Sequence, residues 1–200
     1  MKVFIHGWGF DESVFKEDGL KLQLPGHGNR LGSLQEAIQV YKNMLNQYEN
    51  IDIIGWSMGA SLGIMLTEYL DNINSITLIG FSPHFKEAYD KITFLAFIRT
   101  MKKDFYRGLE EFRKNAYPFE FRKDYPDKDI ALKILEEYIE LDLKDVVKNL
   151  KIPTKLIHGE EDKIVPIKEA YKTKELNKNI DLITYKGGHF PSTETIIYGL

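Results

Sequence analysis

Apolar residues along this chain switch repeatedly between two spacings, and the switching predicts strands joined by helices. Val3-Phe4-Ile5 is a short apolar run, and Leu20 to Leu24 alternates apolar with polar positions, so both read as strands. One or two helical turns are expected between them, at 13–17. From Ser33 to Tyr48 the positions Leu34, Ile38, Tyr41, Leu45 and Tyr48 recur at spacings of three and four, the stripe of an amphipathic helix. Ser33 is placed to cap it, with Glu36 three residues on to complete a capping box. Ile51-Asp52-Ile53-Ile54 is β-branched and too short for a helix, and a helix-like segment, Ala60 to Leu70, stands close behind it. Further strands are predicted at Ile76 to Ile79, Thr154 to Ile157 and Asp181 to Tyr185, with a helix at Ile167 to Leu176.

This rhythm implies right-handed crossovers and a mostly parallel sheet of about six strands, an α/β fold with its chemistry at the carboxyl ends of the strands. From about Ser82 to Asn149 the pattern is helical, and no strand-like run interrupts it. Because the strand pattern resumes afterwards, the chain reads as a single domain over 1–200, with a helical lid inserted at about 82–149.

Composition narrows the function. Two hundred residues, 43% of them hydrophobic, suffice for one globular core. A net charge of -3 argues against a strongly basic nucleic-acid binder, and the absence of cysteine excludes disulfides, thiolate metal sites and a cysteine nucleophile. No apolar run reaches the length of about 18 residues that a membrane span requires. The chain enters a strand after a single lysine, so no signal peptide is expected, and a cytoplasmic monomer is the plain expectation.

The chemistry centres on Gly55-Trp56-Ser57-Met58-Gly59, which sits between the β-branched run and the following helix. Gly-x-Ser-x-Gly in this setting is the layout of a nucleophile elbow, a sharp strand-to-helix turn that lifts a serine above the sheet edge. Small residues are needed two positions either side of the serine, because a Cβ there would strike neighbouring backbone. The backbone N–H of Met58 then opens a helix and can face developing negative charge. His6-Gly7-Trp8-Gly9 follows the first strand, where the Trp8 N–H is the expected second oxyanion donor.

A serine needs a base, and the base a carboxylate to fix its tautomer. Of the histidines at 6, 27, 84, 158 and 189, only His189 follows the last strand behind a double glycine. Asp162 lies in the loop after the preceding strand, with Glu160 and Glu161 as neighbouring but less favoured acids. Ser57, then Asp162, then His189 is the chain order of an α/β-hydrolase triad. His6 and His158, at strand ends, read as structural, and His27 and His84 as loop residues, with His84 also a candidate to line the pocket. No spacing of His or carboxylate residues suggests a metal, and no cofactor is expected.

Along essentially its whole length the chain resembles the α/β-hydrolase superfamily. Within it, His-Gly-Trp-Gly, Leu-Pro-Gly-His-Gly, Gly-Trp-Ser-Met-Gly and Gly-Gly-His-Phe-Pro resemble the pimeloyl-[acyl-carrier protein] methyl ester esterases of biotin synthesis. The resemblance implies Ser57 as nucleophile, His189 as base and Asp162 as orienting acid. It also implies Trp8 and Met58 at the oxyanion hole and a lid aromatic near the substrate, best matched by Phe112. Two departures stand out: no antiparallel hairpin precedes the first parallel strand, and the final helix after His189 is short. An acyl-carrier protein is the partner the resemblance implies. Between Arg99 and Lys123, Arg99, Lys102, Lys103, Arg107, Arg113, Lys114, Arg122 and Lys123 face only four acidic residues, a candidate docking surface for an acidic carrier. The alternatives are a hydrolase of the same mechanism acting on other small esters or thioesters, and a hydrolase-like binding protein without activity.

Overall fold

The computed structural model describes residues 1–191. Six parallel strands form one sheet in the order β2-β1-β3-β4-β5-β6. The strands are β1 Lys2–Ile5, β2 Leu20–Leu22, β3 Ile51–Trp56, β4 Ile73–Ile79, β5 Thr154–Gly159 and β6 Asp181–Tyr185. This is the sheet expected from the alternating pattern. The chain runs outward from β1 to β2 and then returns to add β3 on the other side of β1. The crevice beyond the ends of β1 and β3 is therefore the topological switch point, where open α/β sheets place their ligands.

Each central strand is buried on both faces, and its side chains divide by period two. Val3, Ile5, Ile53, Ile76, Leu78 and Leu156 face the larger core, where α1 Leu34–Leu45 and α2 Met58–Leu66 pack. Phe4, Ile54, Trp56, Ile79 and Ile157 face an aromatic cluster completed by Phe10, Phe15, Tyr185 and Phe190.

Element ends differ from the sequence expectation where side chains compete for backbone groups. Strand β2 stops at Leu22, because His6 accepts from the Leu24 N–H and Asn29 donates to the carbonyls of Gln23 and Leu24. Helix α1 begins after Ser33, whose hydroxyl accepts from the Glu36 N–H at 3.1 Å. The returning Glu36 carboxylate takes the N–H of Gly32 instead of that of Ser33. Helix α2 starts two residues earlier than expected and ends at Leu66, where Thr67 Oγ1 donates to the Ile64 carbonyl. Strand β4 starts at Ile73, since Asn74 and Ser75 both donate to Asp52 on β3. The turns expected at 13–17 appear as one 3-10 turn, Glu12–Val14, capped by Asp11.

Between β4 and β5 the chain forms α3 Lys91–Lys103, α4 Phe105–Ala116, α5 Lys128–Glu140 and α6 Lys144–Asn149, with no strand among them. Helix α7, Lys168–Leu176, joins β5 to β6. The short final helix expected after His189 falls largely outside the described residues. None of the described helices is long and apolar enough to cross a membrane.

Candidate active site

Ser57 stands between β3 and α2 with φ 55° and ψ -121°, and it is the one non-glycine residue with positive φ among those described. That conformation carries a strain cost of about 1–3 kcal/mol, so the surroundings must enforce it. They do so by crowding. A Cβ on Gly59 would lie 2.3 Å from the Ile5 carbonyl oxygen and 2.4 Å from that of His6, and one on Gly55 would lie 2.5 Å from Ala60 Cα. The start of α2 is thus pressed against the end of β1, as the elbow motif requires. The Ser57 N–H donates to the Ile79 carbonyl at 2.8 Å, which ties the turn to β4. Met58 is the first residue of α2, and its N–H belongs to the first turn, where amides lack intrahelical acceptors.

His189 and Asp162 meet across the loops that follow β6 and β5. Nδ1 of His189 lies 2.7 Å from Asp162 Oδ2, and both side chains are fully buried. The other oxygen, Oδ1, accepts from the N–H groups of Ile164 at 2.7 Å and Val165 at 2.9 Å. Burial opposes the Asp162 charge, but His189, His158 and the Val165 N–H together hold its pKa below the ordinary value. An ionised Asp162 makes Nδ1 of His189 the donor and leaves Nε2 as an acceptor. Nε2 is buried and makes no hydrogen bond to Ser57 or to any other described residue.

The imidazole nevertheless lies against the elbow. Trp56, the residue before Ser57, donates its indole N–H to the His189 carbonyl at 3.0 Å. A Cβ on Gly80, next to the Ile79 that holds Ser57, would lie 2.8 Å from the His189 ring. Glu160 and Glu161 are exposed, with Glu160 accepting from the Thr184 hydroxyl, and of the three neighbouring acids it is Asp162 that pairs with His189.

Trp8 occupies the turn after β1, and its N–H belongs to the Gly7–Trp8 peptide. The carbonyl of that same peptide accepts from His6 Nδ1 at 2.8 Å, while His6 Nε2 accepts from Leu24 N. In the next peptide, the Gly9 N–H donates to His27 Nε2 at 2.9 Å. Both imidazoles must be neutral to accept these bonds. Burial lowers the His6 pKa to about 4 and that of His27 to about 3. His27, expected as a plain loop residue, is therefore a buried brace of the Trp8 turn. The Pro25-Gly26-His27-Gly28 cluster announces a turn but nothing of this contact.

Phe112 packs edge-on against Trp8, with ring centroids 5.2 Å apart, and lines a cavity of about 210 Å³. Phe85, Tyr89, Phe94 and Phe97 supply most of the remaining wall, and Lys163 is its one charged residue. Tyr89, not anticipated from sequence, donates to the carbonyls of Lys163 and Ile164 and so fastens the approach to α3 onto the Asp162 loop. His84 lies apart, beside Glu87 and Asp142 at the base of the helical segment.

One expectation is corrected. Arg113 does not belong to an exposed basic face: it is 4% exposed and turned inward, with Nε 2.7 Å from the Gly9 carbonyl. Burial lowers its pKa, and Glu110 works against that shift. The other seven basic residues of the candidate face are exposed, with Lys102 paired to Glu136 and Arg122 to Glu120.

Known proteins share this fold. A hydrolase from Oleispira antarctica superposes with a TM-score of 0.77 over 94% of this chain and 83% of its own, at 14% identity. An esterase from Exiguobacterium antarcticum gives the same TM-score over 94% and 84%, at 19% identity, so the α/β-hydrolase fold is shared. In sequence, a pimeloyl-[acyl-carrier protein] methyl ester esterase from Legionella pneumophila (strain Paris) is 27% identical over 216 residues, covering 94% of this chain and 87% of that protein. The model of the family described as serine hydrolase (FSH1) matches residues 5–197, a span that runs from the end of β1 past His189. A match over nearly the whole sequence makes this chain a hydrolase of the serine hydrolase (FSH1) family.

Proposed function

We propose that the chain is a carboxylic ester hydrolase with Ser57 as nucleophile, His189 as general base and Asp162 as the carboxylate that orients it. Its substrate in this reading is the methyl ester of a pimeloyl group on an acyl-carrier protein, as in biotin biosynthesis. The observation that carries the mechanism is the buried Asp162–His189 pair beside a serine held at φ 55°. The similarity to the Legionella esterase carries the substrate.

In this reaction His189 Nε2 takes the Ser57 hydroxyl proton as Oγ attacks the ester carbonyl. Asp162 stabilises the imidazolium that results, and the oxyanion turns toward the backbone N–H groups of Trp8 and Met58. The imidazolium then gives its proton to the departing methoxide, leaving an acyl-serine and methanol. Water, activated by the same Nε2, cleaves the acyl-enzyme. Phe112 and the aromatic cavity receive the apolar chain, and α3–α6 form the lid above it.

The cavity, at about 210 Å³, is smaller than the roughly 300–1,000 Å³ usual for drug-sized ligands. This size favours, as a second reading, short free esters or thioesters handled by the same residues.

Ser57→Ala and His189→Ala should each lower kcat by about a million-fold, and Asp162→Ala by somewhat less. The assay compares purified protein on the carrier-bound methyl ester, a short chromogenic ester and an acyl thioester. Near-wild-type turnover by Ser57→Ala would sink the mechanism. A higher kcat/KM for the free ester than for the carrier-bound one would overturn the substrate assignment alone.

A further inference from the structure

Helix α4 forms the outer wall of the Trp8 turn. Leu109, Phe112 and Arg113 lie on one stripe of α4, and all three reach Gly9 or its neighbour. Gly9 has φ 81°, and a Cβ there would stand 2.5 Å from Leu109 Cδ1. Phe112 meets the Trp8 ring, and Arg113 Nε donates to the Gly9 carbonyl.

The remaining nitrogens of Arg113 are also engaged. Nη1 reaches Glu110 at 3.2 Å and the Lys123 carbonyl at 3.4 Å, and Nη2 reaches the Asp124 carbonyl at 3.1 Å. The guanidinium carbon lies 4.8 Å from the centre of the Phe121 ring and 5.2 Å from that of Tyr125. A buried cation costs several kcal/mol unless its donors are matched, so this degree of matching marks a built contact. A cation at this depth cannot meet a carrier protein. What it does hold is the Gly9 carbonyl, one peptide beyond the Gly9 N–H that His27 fixes and two beyond the Trp8 N–H.

We propose that Arg113 is a positioning residue of the oxyanion hole, linking helix α4 through the Gly9 carbonyl to the turn that presents the Trp8 N–H. This rests on Trp8 being an oxyanion donor, as proposed above. With His6 and His27 gripping the turn from the sheet side and Arg113 from the helix side, the three peptides from Gly7 to Phe10 are held from both directions.

The test uses Arg113→Met and Arg113→Lys with a short free ester. Misplacing a catalytic group by about 1 Å can cost about 100-fold, so Arg113→Met should lower kcat by about that factor while KM changes less than about threefold. Arg113→Lys, which keeps one donor for the Gly9 carbonyl, should recover part of the loss. Affinity for a trifluoromethyl ketone, whose serine adduct bears an oxyanion, should fall in step with kcat/KM. A purely structural role could lower thermal stability but would not produce that proportionality. Full kcat on the free ester, with KM raised only for the carrier-bound ester, would overturn the proposal and return Arg113 to docking. Failure of the underlying mechanism is recognised separately, since Ser57→Ala would then remain active.

Discussion

The elbow and helix α4 both press on the stretch from Ile5 to Gly9 that leads into and forms the Trp8 turn, and they hold it by different means. On the elbow side the contact is backbone on backbone: Gly59 leaves no room for a Cβ beside the carbonyls of Ile5 and His6. On the α4 side it is made by side chains, the Leu109 methyl against Gly9 and the Arg113 Nε on the Gly9 carbonyl. Backbone crowding admits one residue type, whereas a side-chain contact can be met by many combinations. The first kind of contact therefore tolerates almost no substitution, and the second tolerates drift at a graded cost in activity.

Gly59→Ala breaks the comparison most severely. Overpacking usually costs about 1–3 kcal/mol because side chains yield, but here the obstacles are carbonyl oxygens at 2.3 Å and 2.4 Å. The expected loss is about 3 kcal/mol or more, read as a lowered urea midpoint, with activity falling further because Ser57 must move. Gly188→Ala is the control. It lies in the loop before His189, and an added Cβ would meet nothing within 4 Å. Its effect should stay within about 0.5 kcal/mol.

The same contrast explains what could be read from the chain. Gly55 and Gly59 around Ser57 announced the elbow because only glycine fits there, and the strand ends at Ile5, Ile54 and Ile157 placed the loops of the site by pattern alone. The places of Ser57, Asp162 and His189 were legible because each follows a strand, and the structure pairs the last two. Arg113 was not legible, since a buried arginine and an exposed one look alike among mixed charges on an amphipathic helix. Tyr89 and His27 were missed for a related reason. Each acts through hydrogen bonds to backbone distant in sequence, to Lys163 and Ile164 in one case and Gly9 in the other, and no local pattern records them.

A second expected effect concerns the histidine grip on the same turn. His6 and His27 titrate near 4 and 3 in the folded protein, against about 6.5 unfolded. Burial also lowers His158. Because the folded values are depressed, unfolding takes up protons below about pH 6.5; stability is complete above that and is lost as pH falls toward 4. Two such groups give a slope of about 2–3 kcal/mol per pH unit between about pH 6 and pH 4.5. Asp162, with its lowered pKa, adds loss of the same sign at the acid end. Urea midpoints across this range should steepen accordingly, and His27→Gln should flatten the slope by about one proton. A curve level down to pH 4.5 would show that the two imidazoles are not held neutral.

The smallest effect belongs to the outer surface, beyond the contacts that hold the turn. With Arg113 turned inward, Arg99, Lys103 and Arg107 remain exposed around the α3–α4 junction, and among the described residues none of them has a carboxylate pairing such as those of Lys102 and Arg122. Exposed charges of this kind act on encounter more than on the bound state. Reversing all three to glutamate should raise KM for the carrier-bound ester by about tenfold, in line with the range for electrostatic steering. The wild-type KM should rise with added salt, and that of the variant should depend on salt less steeply, because screening removes an attraction the variant no longer has. Turnover of a short free ester should stay unchanged, since none of these side chains reaches the Trp8 turn or the Asp162–His189 pair. Equal loss on both substrates would place these residues, with Arg113, among those that shape the site. No change on either would leave the basic surface without a part in recognition and favour the free-ester reading.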